Sequence, residues 1–313
     1  MPLTTTLARI RAFASRRSGG SGSVVEHLLA KEKVASSNLV FRSKSFQKNL
    51  DMNEFLNQLD DNLRQFLSLG SNALDASRDI TKDINFARSK LKKDGSLLTK
   101  YDLLVEEKIF EILKDSNADI VTEEALEKKE NKDFCWYVDP IDGTTSFSRG
   151  IPLFGTIIGL TYKSVPIMGF IDLPKLNERY ISVEKMGCFK NEELVKASEC
   201  SNFNEAIISY GSPQRFAKEN LIDQLRKIDD LAWDSRGYSD CFGYSLVFNG
   251  SIDLFIEADL NPWETIALEN LSIESGASYA EIPSINGKKN IIFGSKNLIN
   301  EATEIFGGDW KIK

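Results

Sequence analysis

The sequence predicts a layered α+β fold. Three observations carry that expectation. Helical and strand-like apolar spacings arrive in blocks as much as in strict alternation. At 313 residues and 42% hydrophobic content the chain can bury a full core. The patterning begins only near Met52. No apolar run approaches the roughly 18–20 residues needed to cross a bilayer, so no membrane span is expected. A formal net charge of −7 speaks against a nucleic-acid binder, which normally presents a basic face.

The first 50 residues hold nine Lys/Arg against two acids, a net +7 that leaves −14 for the other 263. They are rich in Ser and Gly and follow no secondary-structure period, so residues 1–51 are expected to be a disordered or spurious tail. An Arg- and Ser-rich start without acids resembles an organellar transit peptide; a solvated, functionless tail is an equal reading. The preferred reading is an over-extended gene start, because Ser36-Ser37-Asn38-Leu39 is what one frame of a tRNA T-arm would encode and Met52 follows. Localisation is accordingly expected to be cytoplasmic, or organellar if the tail is a transit peptide. On every reading His27, the single histidine, lies outside the fold, which removes imidazole catalysis and imidazole metal ligands. Cys135, Cys188, Cys200 and Cys241 form no C-x-x-C pair and read as small hydrophobes of a reduced compartment.

From Met52 the elements follow in order. Residues 54–77 read as a helix, since Phe55, Leu59, Leu63 and Phe66-Leu67 recur at steps of three and four. Lys92-Lys93-Asp94-Gly95-Ser96 is polar, and its Asp-Gly marks a turn. Thr99-Lys100-Tyr101-Asp102 opens a second helix with Val105, Ile109, Ile112 and Leu113 on one face, putting Asp102 in its first turn. Ile120-Val121 precede Glu123, Glu124 and a charged loop to Lys132. Phe134-Cys135-Trp136-Tyr137-Val138 is short, apolar and aromatic, hence a buried strand. Strand-like runs follow at 155–160, 166–171, 180–183, 206–210 and 254–257, and helical ones near 215–227, 240–248, 264–274 and 297–305. No internal repeat is visible.

Chemistry concentrates where the 134–138 strand runs into Asp139-Pro140-Ile141-Asp142-Gly143-Thr144-Thr145. Two carboxylates three apart at a strand end supply hard oxygen ligands suited to Mg²⁺. Glycine lets the backbone approach an anion, and a helix starting at Gly143-Thr144 would aim free N–H groups at a phosphate. An Asp-Pro turn followed by a Thr N-cap explains the same residues without any ligand.

The run from Trp136 to Phe147, with Asp139-Pro140-Ile141-Asp142-Gly143-Thr144-Thr145 at its centre, resembles the signature of the inositol monophosphatase family of Mg²⁺-dependent phosphomonoesterases. Four further segments agree in order and spacing: Lys92-x-Asp94-x-Ser96-x-x-Thr99-x-x-Asp102, Glu123-Glu124, 243–257 and Trp263-Glu264. The resemblance covers about residues 54–308. Within the family it is most like the histidinol-phosphate phosphatases, through Gly150-Ile151-Pro152-Leu153-Phe154-Gly155-Thr156, Asp172-Leu173-Pro174 with Glu178-Arg179-Tyr180, Asp240-Cys241-Phe242-Gly243-Tyr244 and Glu257-Ala258-Asp259-Leu260.

The resemblance implies a layered α+β and α/β sandwich with two subdomains around one metal site, residues 52–190 bearing most ligands and 191–313 supplying Glu264 and substrate contacts. It implies two to three Mg²⁺ ions. Glu123, Asp139 and the Ile141 carbonyl would hold one; Asp139, Asp142 and Glu264 a second; Asp102 a weaker third or its waters. The Gly143 and Thr144 amides would grip phosphate, and Thr144 with Glu123 would orient and deprotonate the attacking water. The substrate would be a small-molecule phosphate monoester. Asp240 and Glu257 are the candidates to meet the cationic groups of histidinol phosphate, and the protein would be a homodimer.

Each acid also has a plainer role. Asp102 three after Thr99 fits a capping box, and Glu264 could cap the helix at 265–274. Glu123-Glu124 fits a solvated loop, and Asp240 and Glu257 fit surface acids. Two positions depart from the family. Thr122 stands where Gly is usual, which is expected to shift that backbone, and Glu264 replaces Asp, which is expected to alter Mg²⁺ dependence. Two other functions stay open, an inositol, sugar or nucleotide phosphatase of the same family and an inactive metal-binding homologue; the D-x-x-D of Asp139 and Asp142 argues against a haloacid-dehalogenase-type phosphatase, which needs D-x-D.

Overall fold

The computed structural model describes residues 52–313 apart from Asp94 and Glu192. The expected tail 1–51, His27 and the Asp94 turn residue therefore lie outside the described residues. The chain divides into two units, 1–75 and 76–313. Helix α1 (Met52–Thr81) belongs to both. In the first unit Phe66, Leu67, Ala73 and Leu74 are buried, the spacing of one face of an amphipathic helix.

The second unit opens with the hairpin β1 (Ser89–Leu91) and β2 (Leu97–Thr99), then helix α2 (Lys100–Leu113). Next come β3 (Asp119–Thr122), β4 (Glu127–Lys128), β5 (Phe134–Asp142), the short helix α3 (Thr144–Ser148), β6 (Gly155–Tyr162), β7 (Val165–Leu173), β8 (Glu178–Val183), β9 (Gly187–Lys190) and β10 (Glu193–Val195). These strands form one eight-stranded sheet in the order β10-β9-β8-β7-β6-β5-β3-β4. It is antiparallel except where β3 runs parallel to β5. The remainder is β11 (Ile207–Tyr210), α4 (Pro213–Lys218), α5 (Ile222–Leu231), β12 (Asp234–Arg236), α6 (Asp240–Phe248), β13 (Leu254–Leu260), α7 (Pro262–Ser275), β14 (Ser278–Pro283), β15 (Lys289–Gly294), α8 (Lys296–Phe306) and β16 (Lys311–Ile312). Its six-stranded sheet has the order β12-β11-β13-β15-β14-β16, with β11 parallel to both neighbours.

The layers follow from which faces are apolar. Helices α6 and α7 touch both sheets, and the core there joins Ile157, Ile171, Tyr180, Tyr244, Phe248, Phe255, Leu268, Leu271 and Phe293. A second core joins the other face of the six-stranded sheet to α4, α5 and α8 through Ile208, Phe216, Ile228, Leu254, Ile256 and Leu298. Strand β13 shows the alternation: Leu254 and Ile256 face outward to α4 and α8, and Phe255 faces inward. This is the expected layered α+β architecture.

The single helix expected over 215–227 is two helices, because Asn220 takes a left-handed backbone (φ 59°) and ends the first. Strands β14 and β15 have no counterpart in the sequence reading; short apolar runs such as Ile291-Ile292-Phe293 carry no period that separates strand from helix. Among the described residues no helix is long and apolar enough to cross a membrane.

Candidate active site

On a regular strand Asp139 and Asp142 would point to opposite faces, since side chains alternate. Asp139 lies opposite Ile157 and Asp142 opposite Gly155, so three steps along β5 match two along β6. This is a one-residue bulge. Pro140, which lacks the N–H a ladder would need, occupies it, and the Thr156 hydroxyl donates to the Pro140 carbonyl at 2.8 Å. The bulge lets both acids converge: carboxylate oxygens of Asp139, Asp142 and Glu264 all lie within 4.8 Å of one another.

Glu264 arrives from the first turn of α7. Its Oε2 accepts the Asn261 N–H at 2.8 Å in a capping box, so the plainer capping role also holds. The helix can come close because the sheet beneath it is bare: a Cβ on Gly159 would sit 2.7 Å from Ile266 Cγ2, and one on Gly169 would sit 2.6 Å from the Ala267 carbonyl.

Glu123 follows the end of β3, and the parallel pairing of β3 with β5 brings it beside Asp139; its N–H donates to the Val138 carbonyl at 3.0 Å. It is not a solvated loop acid. Lys92 Nζ lies 2.8 Å from Glu123 and 2.6 Å from Glu124. Asp102 is buried in the first turn of α2, where its Oδ2 accepts the Thr99 N–H and hydroxyl, both at 2.6 Å. Its Oδ1 lies 3.3 Å from the Thr144 hydroxyl, which is also 2.9 Å from the Ile141 carbonyl.

Gly143, not a threonine, is the N-cap of α3, with φ 82°. A Cβ there would meet the Leu153 carbonyl at 3.1 Å and Asp240 Oδ2 at 3.2 Å. Asp240 therefore stands beside the phosphate-binding candidates. It opens α6, whose Cys241 N–H donates to Asp142 Oδ2.

Glu257 is buried rather than a surface acid. Alternation along β13 puts it on the inner face with Phe255. It accepts the Ala258 N–H at 3.1 Å and lies 3.4 Å from the Tyr244 hydroxyl. It also lies against Gly211, where any Cβ would fall 1.8 Å from its Oε1. Arg215 of α4 approaches it to 3.9 Å.

These carboxylates raise one another. Burial, then the charges of Glu123, Asp142 and Glu264, hold Asp139 well above the usual carboxylate range. Burial with Asp240 and Glu264 does the same to Asp142. Burial pushes Glu264 and Glu257 up to about 7, against the pull of Arg215; it also raises Asp102 and Asp240. Asp139 Oδ1 is buried without a hydrogen-bond partner among the described residues. Facing carboxylates with an unpartnered hard oxygen fit a divalent cation, which would neutralise what is otherwise a costly cluster.

A family model described as "Inositol monophosphatase family" matches residues 62–306. The chain belongs to the inositol monophosphatase family. It is 34% identical over 239 residues to the "Bifunctional phosphatase IMPL2, chloroplastic" of Arabidopsis thaliana, covering 74% of this chain and 68% of that one. It is 29% identical over 157 residues to the "Histidinol-phosphatase" of Mycobacterium tuberculosis, covering 49% and 60%. Among solved structures, an inositol monophosphatase from Zymomonas mobilis matches with a TM-score of 0.67 at 25% identity, covering 79% and 98%. The suhB protein of Bartonella henselae matches with 0.70 at 23%, covering 77% and 98%, a likeness of fold. The chain is thus a member of a phosphatase family that is generally metal-dependent.

Within this inositol monophosphatase fold, the Thr122 departure leaves the backbone in the strand, paired with Val138. Its hydroxyl is used instead, its one proton lying between Glu106 Oε1 and the Leu126 carbonyl. Two cations carried no sequence signal of their role. Lys92 stood inside a motif without an assigned function, and Arg215 lay in an ordinary amphipathic helix.

Proposed function

We propose that the chain is a Mg²⁺-dependent phosphomonoesterase that hydrolyses L-histidinol phosphate to L-histidinol and phosphate. The observation that carries it is the convergence of the Asp139, Asp142 and Glu264 carboxylates within 4.8 Å, with Asp139 Oδ1 buried and unpartnered among the described residues. Glu123, Asp139 and the Ile141 carbonyl would hold one ion, Asp139, Asp142 and Glu264 a second, and Asp102 would order a third or its waters. Bound divalent cations supply charge neutralisation for the attacking and leaving oxygens of an in-line displacement.

The chain's own groups do the rest. The first amides of a helix have no intrahelical acceptor, so those of Gly143 and Thr144 would hold phosphate oxygens. Thr144, with Glu123 nearby, would orient the attacking water. The Thr144 hydroxyl carries one proton; turned from the Ile141 carbonyl to Asp102 Oδ1 at 3.3 Å, it would yield that proton there as it takes the water's. The Ile141 carbonyl, bonded once by Thr144, keeps a second lone pair.

Asp240 and Glu257 support a substrate whose leaving group bears an amine and an imidazole. Relatives described as histidinol-phosphatases favour the same choice, among them one from Chlorobaculum parvum at 29% identity over 210 residues. One observation favours a second reading, an inositol or sugar phosphatase: Arg215 already faces Glu257, leaving less net negative charge for a cationic substrate. Kinetics on L-histidinol phosphate, inositol 1-phosphate, fructose 1,6-bisphosphate and a 5′-nucleotide separate the two. At least tenfold higher kcat/KM on histidinol phosphate is expected; a preference for any of the others replaces the substrate while keeping the chemistry.

A further inference from the structure

Glu106 is an acid the chemistry above does not use. It lies one turn after Asp102 on α2, only 2% exposed. Its Oε1 accepts the N–H groups of Ala125 and Leu126, both at 2.9 Å, and the Thr122 hydroxyl. That hydroxyl also lies 2.6 Å from the Leu126 carbonyl. A buried carboxylate is stable only when such donors replace its lost water. The three donors bracket Glu123 and Glu124 in sequence. The backbone of Glu123 is thus fixed from two sides, upstream by the strand through its bond to Val138 and downstream by α2, while Lys92 meets its carboxylate at 2.8 Å. The same helix carries Asp102 directly. In this chain the donor at position 122 exists because Thr stands where the family usually has Gly.

We infer that Glu106 is a positioning residue for Glu123, tying the 122–126 turn to α2 so that the Glu123 carboxylate is held at the cluster. This rests on the divalent-cation reading of that cluster. Asp139, Asp142 and Glu264 come from other elements, so releasing the turn weakens Glu123 as a ligand and leaves those three in place. Outer groups of this kind typically change metal affinity or activity by about 10–100-fold.

The test uses the full chain without substrate, with free Mn²⁺ followed by electron paramagnetic resonance, and hydrogen exchange at residues 123–126. Glu106→Gln keeps the shape but loses the charge, and is expected to weaken Mn²⁺ binding about tenfold. Thr122→Val, which removes one donor and keeps the strand, is expected to weaken it by about two- to threefold. Exchange at Ala125 and Leu126 rises in both. In turnover, kcat is lower at limiting Mg²⁺ and recovers at high Mg²⁺, with the substrate KM unchanged. If Glu106→Gln does not fold, Thr122→Val decides. Variants that bind Mn²⁺ like the wild type, even with lowered thermal stability, overturn the inference and leave the cation reading intact. A wild-type protein that binds no Mn²⁺ overturns both.

Discussion

At one end of the site Asp139, Asp142 and Glu264 face one another within 4.8 Å, and Asp139 Oδ1 has no hydrogen-bond partner among the described residues. At the other, Asp240 and Glu257 stand near Arg215, and Glu257 is further met by Tyr244 and a backbone N–H. Both ends are built on bulged strands, β5 and β13. The difference is the counter-charge. At the first end Lys92 pairs with Glu123, and Asp139 Oδ1 stays without a hydrogen-bond partner among the described residues, where a divalent cation would fit. The second has Arg215, 45% exposed and therefore screened, 3.9 Å from Glu257.

The largest effect should come from neutralising the first end. Asp139→Asn is expected to reduce turnover by about a thousandfold, as loss of several kcal/mol of charge stabilisation implies. It should also raise the Tm of the metal-free protein, because folding no longer has to bury and protonate that carboxyl. A fall in that Tm would mean the cluster is not under charge strain.

At the other end, Asp240→Asn is expected to raise KM for histidinol phosphate about tenfold, the value of one lost charge-assisted contact, while sparing neutral phosphomonoesters. Equal losses on both would show that Asp240 shapes the site rather than choosing the substrate.

The ends should also respond to pH in a defined sense. Glu264 and Glu257 rise from 4.5 to about 7 on folding. The folded state then binds more protons than the unfolded one between those values, so stability falls as pH rises. The metal-free Tm should drop by several degrees from about pH 4.5 through 7, and Asp139 and Asp142, raised in the same sense, add to the fall. Saturating Mg²⁺ should flatten the slope by neutralising Glu264; an unchanged slope would separate the cation from these acids.

The smallest effect concerns Glu264→Asp. Glutamate at this position both caps α7 and reaches the cluster, and the shorter acid should keep turnover within about threefold while shifting the Mg²⁺ titration. Identical rate and titration would mean the extra methylene is inconsequential.

What the sequence made legible is local. Asp139, Asp142 and Gly143 sit together at a strand end and were visible from their neighbours, whereas Asp102 and Glu264 sit at helix starts whose local signature is that of a cap, their place at the site being implied only by the family resemblance. Their plainer capping roles are real as well: the cap is what aims the carboxylate. The rest depends on pairing between distant segments. The β5 bulge shows only in its register against β6. Arg215 and Gly211 reach Glu257 only because β11 runs parallel to β13, and Glu106 meets the turn at 122–126 only because α2 packs against β3. A helical acid in sequence gives no sign of being buried.

The most direct measurement is phosphate release from L-histidinol phosphate by the purified chain, with Mg²⁺ and then with EDTA. Release that requires Mg²⁺, stops with EDTA and returns when Mg²⁺ is restored is expected. Release that persists in EDTA, or none at any Mg²⁺ concentration from this or any other phosphomonoester, would contradict a cation-dependent phosphatase at this cluster.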